Sequence, residues 1–352
     1  MSTIRDVAKK AGVAISTVSA VINRSAPTSA EVVARVERAI AEIRYAPQQA
    51  AQTLRSGRSR LVGVIVPDIT NPHFSTLARV VEKQCLHAGY MTFVYNTDED
   101  TDLEMRILGM MRTQRVAGLI LISTRSDDRH GRRLMAEINV PTVLMGSFVA
   151  GTPYDFVALD DVEAGAMAAG RLLDLGHRRV AVIGGREGVS SHELRLKGCR
   201  AAFRRRGLAL ADDQVSLAEF SAERAYEETR RRLRSRLRPT AIVSLSNFMT
   251  IGVMRALADM RLRSPDDVSF VGVDDFDWAD IMRPRPTLIA QPIEDMTRTA
   301  IAALLEQIAS DSPPARRRLL FAPKLIVRDS CGPFESEDAA PRSGAEAGHE
   351  KG

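Results

Sequence analysis

Two periodicities divide the chain. Near the start, Ile4, Val7, Ala8 and Ala11 recur at i, i+3, i+4 and i+7, one apolar face of a helix. Thr3 with Asp6 three residues on predicts a capping box, and Gly12 a left-handed helix end. A second helix follows, with Val18, Val21 and Ile22 on its buried face. Ser16, Ser19, Ala20 and Asn23 share the opposite face, small or polar. Two short helices joined around a glycine predict a helix-turn-helix, whose outer face can approach a DNA major groove closely. On these residues alone a plain helical hairpin is the alternative. A third helix is expected with Thr28 as cap, Glu31 at the box position and Val32, Val33, Val36, Ala39, Ile40 and Ile43 as its apolar stripe. Tyr45-Ala46-Pro47 ends it.

From Leu61 the pattern changes to short apolar runs alternating with helical segments. The runs 61–66, 91–95, 118–122, 142–145, 156–159, 179–183, 241–245 and 268–273 read as buried parallel strands. Intervening stretches such as Phe74–Ala88 and Val162–Leu175 carry helical periodicity. This rhythm predicts α/β architecture in two lobes, one from Leu61 and one from near Asp160, with ligands at the carboxyl ends of the strands. TLIAQP (287–292) followed by a helix over 293–308 suggests a return to the first lobe, and RRLLF and KLIVR complete the body. Between head and body, QQAAQTLRSGRSR is basic and too short to hold a helix unaided. The expected domains are therefore a head (1–46), a hinge helix or linker (47–60), a two-lobed effector-binding and dimerisation domain (61–330) and a disordered tail (331–352).

Charge sharpens this division. Residues 1–60 hold ten Lys/Arg against four acids, which leaves the rest of the 352-residue chain near neutrality. A basic head on a neutral body implies a polyanionic partner for the head alone. The runs Arg204–Arg206 and Arg316–Arg318 read as solvated helix or strand ends. No apolar run approaches the roughly 20 residues that span a bilayer, and no signal-peptide core precedes the head, so a cytoplasmic location is expected. Cys85, Cys199 and Cys331 show neither metal-site nor disulfide spacing. The acids at 98–102 lack the spacing of a calcium loop. GGREG at 184–188 is not a phosphate-binding loop, and GxSxG and HExxH are missing. No cofactor, no metal and no enzyme activity are expected.

Residues 2–330 resemble the LacI-type (lactose/galactose repressor) family of bacterial transcription regulators. TIRDVAKKAGVAISTVSAVIN is similar to its DNA-reading motif, and IRYAPQQAAQTLRSGRSRLVGVIVPDITNPHF to its hinge and first strand. GLILI, LDDVEAGAMAAGRLLDLGHRRVAVIGG, RLKGCRAAF, PTAIVSLSN, PDDVSFVGVDDFDWADIMRPRPT and QP match its later blocks in order. The resemblance implies a helix-turn-helix head, a hinge helix and a periplasmic-binding-protein-like body. It further implies a homodimer on a pseudo-palindromic double-stranded DNA operator, acting as a repressor switched by a small sugar or sugar acid. Ile15, Ser16 and Ala20 match positions that touch base edges. Thr3, Thr17, Ser19 and Asn23 match positions near phosphates. Leu54 matches a minor-groove wedge, with Arg55 beside it.

In the body, the matching effector positions are His73, Phe74, Asp98, Ser123, Thr124 and Ser147 or Phe148 in the first lobe. Those in the second are Asp160, Ser191, Arg195, Phe220, Asn247 and Asp274, with Trp278 and Gln291 near the cleft. Plainer roles compete: Asp98 and Asp160 as helix caps, Phe74 as core, His73 as a surface residue and Trp278 as an interface anchor. The chain departs from the family at Ala20, where Arg is common, and at Ala14, where Ser often caps the second helix. It also carries Asn247 where Asp is usual and Ser246 where Asn is usual. A solute-binding transport protein would share the body, but should carry an export signal and lack the basic head; an activator using the same effector fold is the other alternative.

Overall fold

The computed structural model describes residues 2–23, 26–45, 59–310 and 316–334. It divides into two compact units, residues 1–60 and 61–352. In the first, α1 (Ile4–Ala11), α2 (Ile15–Asn23) and α3 (Ala30–Glu42) enclose Val7, Ala8, Ala11, Val18, Val36 and Ala39. The capping box forms as expected. The Thr3 hydroxyl accepts from the Asp6 N–H, and the Asp6 carboxylate accepts from the Thr3 N–H at 2.8 Å. Gly12 closes α1 in the left-handed region at φ 63°. The third helix begins one residue later than expected. Ser29 is its cap, accepting from the Val32 N–H, while the Thr28 hydroxyl donates back to the Ala26 carbonyl. With Ser29 as cap, Glu31 falls outside the box position.

The second unit holds two six-stranded sheets. The first is ordered β11-β5-β4-β3-β1-β2, from β1 (Leu61–Val66), β2 (Met91–Asn96), β3 (Gly118–Leu121), β4 (Thr142–Met145), β5 (Asp155–Leu159) and β11 (Arg318–Phe321). All its pairings are parallel. The second is ordered β12-β10-β9-β8-β6-β7, from β6 (Val180–Gly184), β7 (Val215–Leu217), β8 (Ala241–Ser244), β9 (Ser269–Val273), β10 (Thr287–Ala290) and β12 (Lys324–Ile326). Only β12 runs antiparallel to its neighbour, β10.

Helices cover both faces of each sheet, which is why most strands are continuous apolar runs rather than alternating ones. On the first sheet, α4 (Pro72–His87) and α11 (Ile293–Ala309) bury Leu77, Val81, Cys85, Ile301 and Leu304 on one face. On the other face, α5 (Thr101–Thr113) and α6 (Asp128–Glu137) bury Ile107, Met111 and Leu134. The second sheet is flanked by α7 (Asp161–Asp174) with α8 (Ser190–Arg204), and by α9 (Ala222–Leu233) with α10 (Asn247–Asp259).

The chain crosses between lobes after β5, after β10 and between β11 and β12. The expected return to the first lobe therefore begins with α11 and includes β11; the strand before α11 stays in the second sheet. Residues 331–334, expected to belong to the tail, are part of the packed body. They lie on the second lobe, the Gly332 N–H donating to Ser269 Oγ and the Phe334 N–H to the Leu175 carbonyl.

Candidate nucleic-acid interface and ligand cleft

On α2, Ile15 (39% exposed) and Ser16 face outward, with Thr17, Ser19 and Ala20 half-buried beside them. Asn23 is the last residue of that helix. Ala14 offers no capping side chain, and its carbonyl alone accepts from the Thr17 and Val18 N–H groups. Arg35 of α3 donates to the Gly12 carbonyl at 3.3 Å, which ties the turn to the third helix. Leu54 and Arg55 lie outside the described residues.

In the body, the carboxyl ends of the strands converge on one guanidinium. Arg195 of α8 donates through Nε to Asp161 at 2.7 Å and through Nη1 to the Leu245 carbonyl at 2.6 Å. Nη1 and Nη2 then reach the two oxygens of Asp274 at 3.2 and 3.3 Å. One of its five N–H bonds, on Nη2, is left over. Gln291, at the second crossing, donates to Asp274 Oδ1, the oxygen that also accepts from Arg195 Nη2. His73, at the start of α4 in the first lobe, is close enough to feel both Asp274 and Arg195. The Phe220 ring, from a left-handed residue at φ 59°, lies over Gly185. A Cβ at Gly185 would sit 2.3 Å from that ring, so the close approach requires glycine.

Burial sets the electrostatics. It pushes Asp161 up to about 6 against the pull of Arg195. Asp274 is held below the ordinary carboxylate range: burial opposes this, but Arg195, His73 and the hydrogen bonds from Gln291 and Arg195 outweigh it. Burial lowers His73, with Arg195 adding to the effect and Asp274 opposing it. Near neutral pH the cluster is one cation between two anions beside a neutral imidazole, a site of net negative charge.

Three sets of hydrogen bonds join the lobes around this cluster. Asn247 donates to Asn71 Oδ1 at 2.7 Å and receives a bond from Asn71 Nδ2 at 3.1 Å, a reciprocal amide pair. The Ser190 N–H donates to Ser126 Oγ at 2.9 Å, while Ser190 Oγ accepts from the Phe148 N–H at 2.8 Å. Arg125 reaches the Glu187 carbonyl and Arg186 the Glu99 carbonyl, each at 3.1 Å.

The remaining expected positions lie in different surroundings. Ser123 and Thr124 follow β3 and are buried above Glu104, which accepts from the Ser123 hydroxyl and the Thr124 N–H; Thr124 Oγ1 has no protein partner. Ser147 is buried and Ser191 half-buried. Phe74 packs partly buried on the first-lobe core. Asp160 is a helix cap, accepting from the Glu163 N–H, whereas Asp98 is not: Asp100 caps α5, and exposed Asp98 accepts from Asn96. Trp278 is 38% exposed on a short 3₁₀ turn and lies against Phe276, the rings tilted by 40° at 4.3 Å.

Sequence inspection missed Asn71, Ser126, Asp161 and Ser190. Asn71 has a local signature as the cap before Pro72, and Asp161 adjoins a named cap; Ser126 and Ser190 have none. It also missed His130, whose Nε2 meets both Ser123 Oγ (3.0 Å) and Glu104 Oε1 (2.7 Å). A hydrolytic triad needs the nucleophile and the carboxylate on opposite ring nitrogens. Here both crowd one nitrogen, and the group is a buried polar brace.

Comparison with known proteins matches residues 3–48 to the model "Bacterial regulatory proteins, lacI family" and residues 169–331 to "Periplasmic binding protein-like domain". The ribose operon repressor of Escherichia coli K12 is 34% identical over 330 residues, 94% of this chain and all of that protein. The regulator DegA of Bacillus subtilis is 30% identical over 341 residues, 95% of this chain and 99% of DegA. Among solved structures, the Lac repressor dimer bound to operator and the anti-inducer ONPF superposes with a TM-score of 0.83 at 26% identity, covering 94% of this chain and 99% of that one. The regulator CelR in complex with cellobiose gives 0.70 at 29% identity, covering 94% and 100%.

Proposed function

Because the chain belongs to the lacI family of bacterial regulatory proteins, we propose that it is a repressor whose operator affinity is set by a neutral sugar held between its lobes. The observation that carries the choice of ligand is the clamping of Arg195 between Asp161 and Asp274. A guanidinium already bound to two carboxylates and a carbonyl has one N–H to offer, too little to hold a ligand carboxylate bidentately. The net negative cluster also disfavours an anionic sugar acid. Asp274, Gln291, Asn247 and His73 suit hydroxyl groups, and Phe220 supplies an aromatic face for a sugar ring. A bound sugar adds hydrogen bonds only when the lobes are together, so it shifts the protein toward that arrangement. A coupling of about 1–3 kcal/mol is enough to switch operator binding.

In the head, Ile15, Ser16 and Ala20 touch base edges, while Thr3, Thr17, Ser19 and Asn23 set register on the phosphates. Leu54 and Arg55 belong to the hinge segment. Two copies place two heads on the half-sites; the outer strand β2, which exposes Met91, Phe93 and Val94, suits burial against a second copy. The head is bounded at residue 46 and the hinge at residue 60. The protein performs no catalysis; its buried Ser123–His130–Glu104 group braces the first lobe.

The test is a thermal-shift screen of the full chain against neutral sugars and sugar acids, followed by operator binding at fixed salt. A ligand at 100 times its Kd stabilises by roughly 2.7 kcal/mol. A neutral sugar should shift the melt and change operator affinity, and Arg195→Met should abolish both responses. Stabilisation by sugar acids alone would overturn the ligand assignment. Operator binding indifferent to every ligand would overturn the switch.

A further inference from the structure

The end of the second lobe opposite the cleft is ringed by arginines. The carboxyl-terminal ends of α7, α8 and α9 lie there, with the residues that lead into β6 and β8. Arg204 and Arg205 end α8, and Arg234, Arg236 and Arg238 follow α9; all five are exposed, and none forms an ion pair among the described residues. Leu237, in the middle of the second group, is 77% exposed. Such an end attracts any polyanion, including the DNA that the head must bind selectively.

The chain leaves the described residues within this ring. The Phe334 ring stacks on His177 at 5.3 Å, and the Arg179 guanidinium lies 5.9 Å from its centroid. Arg179 in turn donates to the Arg238 carbonyl at 3.3 Å. The Phe334 carbonyl passes so close over Gly176 that a Cβ there would come within 2.7 Å. Phe334 is thus linked through Arg179 to the backbone of Arg238, and the sequence continues Glu335, Ser336, Glu337, Asp338. We propose that this acidic segment docks on the arginine ring of its own second lobe and masks it from nucleic acid. The anchor supplies a high local concentration, so a few exposed charge pairs, each weak alone, suffice to occupy the surface.

The experiment compares the full chain with a truncation after Phe334, using duplex DNA without an operator. Binding is measured from 50 to 200 mM salt. Three carboxylates mask up to three phosphate contacts, so truncation should steepen the slope of log K against log salt by up to about 2.7. That is a further loss of roughly 40-fold across this range. Arg236→Ser with Arg238→Ser should leave the full chain unchanged and bring the truncated slope back toward it. An unchanged slope on truncation would overturn the proposal. So would a steepened slope that the substitutions leave in place, which would put the masked surface elsewhere. Substitutions that lower the slope of the full chain would mean that the ring is open and contacts DNA itself.

Discussion

Asp161 offers the sharpest test of the cleft's electrostatics. It is 3% exposed and bonded to Arg195 at 2.7 Å, yet burial holds its pKa at about 6 rather than the ordinary 3.8. Arg195 is shared with Asp274, so one cation serves two buried anions. The sign follows from linkage. Between pH 3.8 and 6 the unfolded chain gives up this proton while the folded protein keeps it, so Asp161 makes stability fall as pH rises through that window. Above pH 6 the deficit is constant. About two pH units at 1.36 kcal/mol each amount to about 3 kcal/mol.

Asp161→Asn removes the titration while keeping an oxygen that can accept from Arg195 Nε. The amide pairs less strongly than the carboxylate, a constant offset, so the diagnostic quantity is the change of the difference with pH. Urea or thermal melts of both proteins at pH 4, 5, 6 and 7 should show the variant gaining about 2 kcal/mol on the parent, most of the full window. At roughly 2–4 °C per kcal/mol for a body of this size, the melting temperatures diverge by several degrees. Parallel profiles would refute the assignment. A parent that gains on the variant as pH rises would show that pairing with Arg195 outweighs burial.

Ser126→Ala leaves the buried Ser190 N–H without its acceptor across the cleft, a cost of about 1–3 kcal/mol to the joined lobes. The half-maximal effector concentration in an operator-binding titration should rise five-fold or more; an unchanged value would mean that this contact does not bear on closure. Thr3→Ala removes the capping box of α1 and should cost about 0.5–2 kcal/mol locally, seen as faster amide exchange over residues 4–11 in the intact protein and not in the body. Ala20→Arg should add a preference of about 1–3 kcal/mol for guanine at one half-site position, measurable by selection from randomised operators; selection of an unaltered site would remove Ala20 from the base-reading set.

Locally encoded features were legible in the sequence. The Thr3–Asp6 box depends on residues three apart, and the apolar runs of β1 and β6 sit buried where periodicity put them. The error between Thr28 and Ser29 has a local origin too: both hydroxyls can cap, and backbone geometry chooses. The strand β7 is only three residues long at a sheet edge, with one residue buried, so it carries no apolar run to notice. In the cleft, Arg195, Asp274 and Gln291 could be named by resemblance, but their mutual geometry could not. The partners that join the lobes are the least legible. Asn71 and Asn247 are 176 residues apart, and Ser126 and Ser190 are 64 apart. A small polar side chain gives no sign of which distant residue it will meet.

Those hidden contacts explain how a ligand in the second lobe can be felt in the first. Asp160 and Gln291 sit at two of the three crossings, so residues that line the cleft also lie where the chain passes from one lobe to the other. Asp161, next to the first crossing, holds Arg195 by Nε. Gln291, at the second, holds Asp274, which grips the same guanidinium from the other side. Two residues beyond Gln291, α11 begins and packs in the first lobe against α4. The start of α4 presents His73 to Asp274, and its cap, Asn71, pairs with Asn247. The contacts therefore form a closed ring through both lobes. On the function proposed above, a hydroxyl ligand seated on Asp274 would compete with Gln291 for its oxygens and so act on a crossing directly. Since a ligand shifts an equilibrium only by its differential affinity for the two states, a site built into the crossings would, on that proposal, convert a few hydrogen bonds into lobe movement without a long relay.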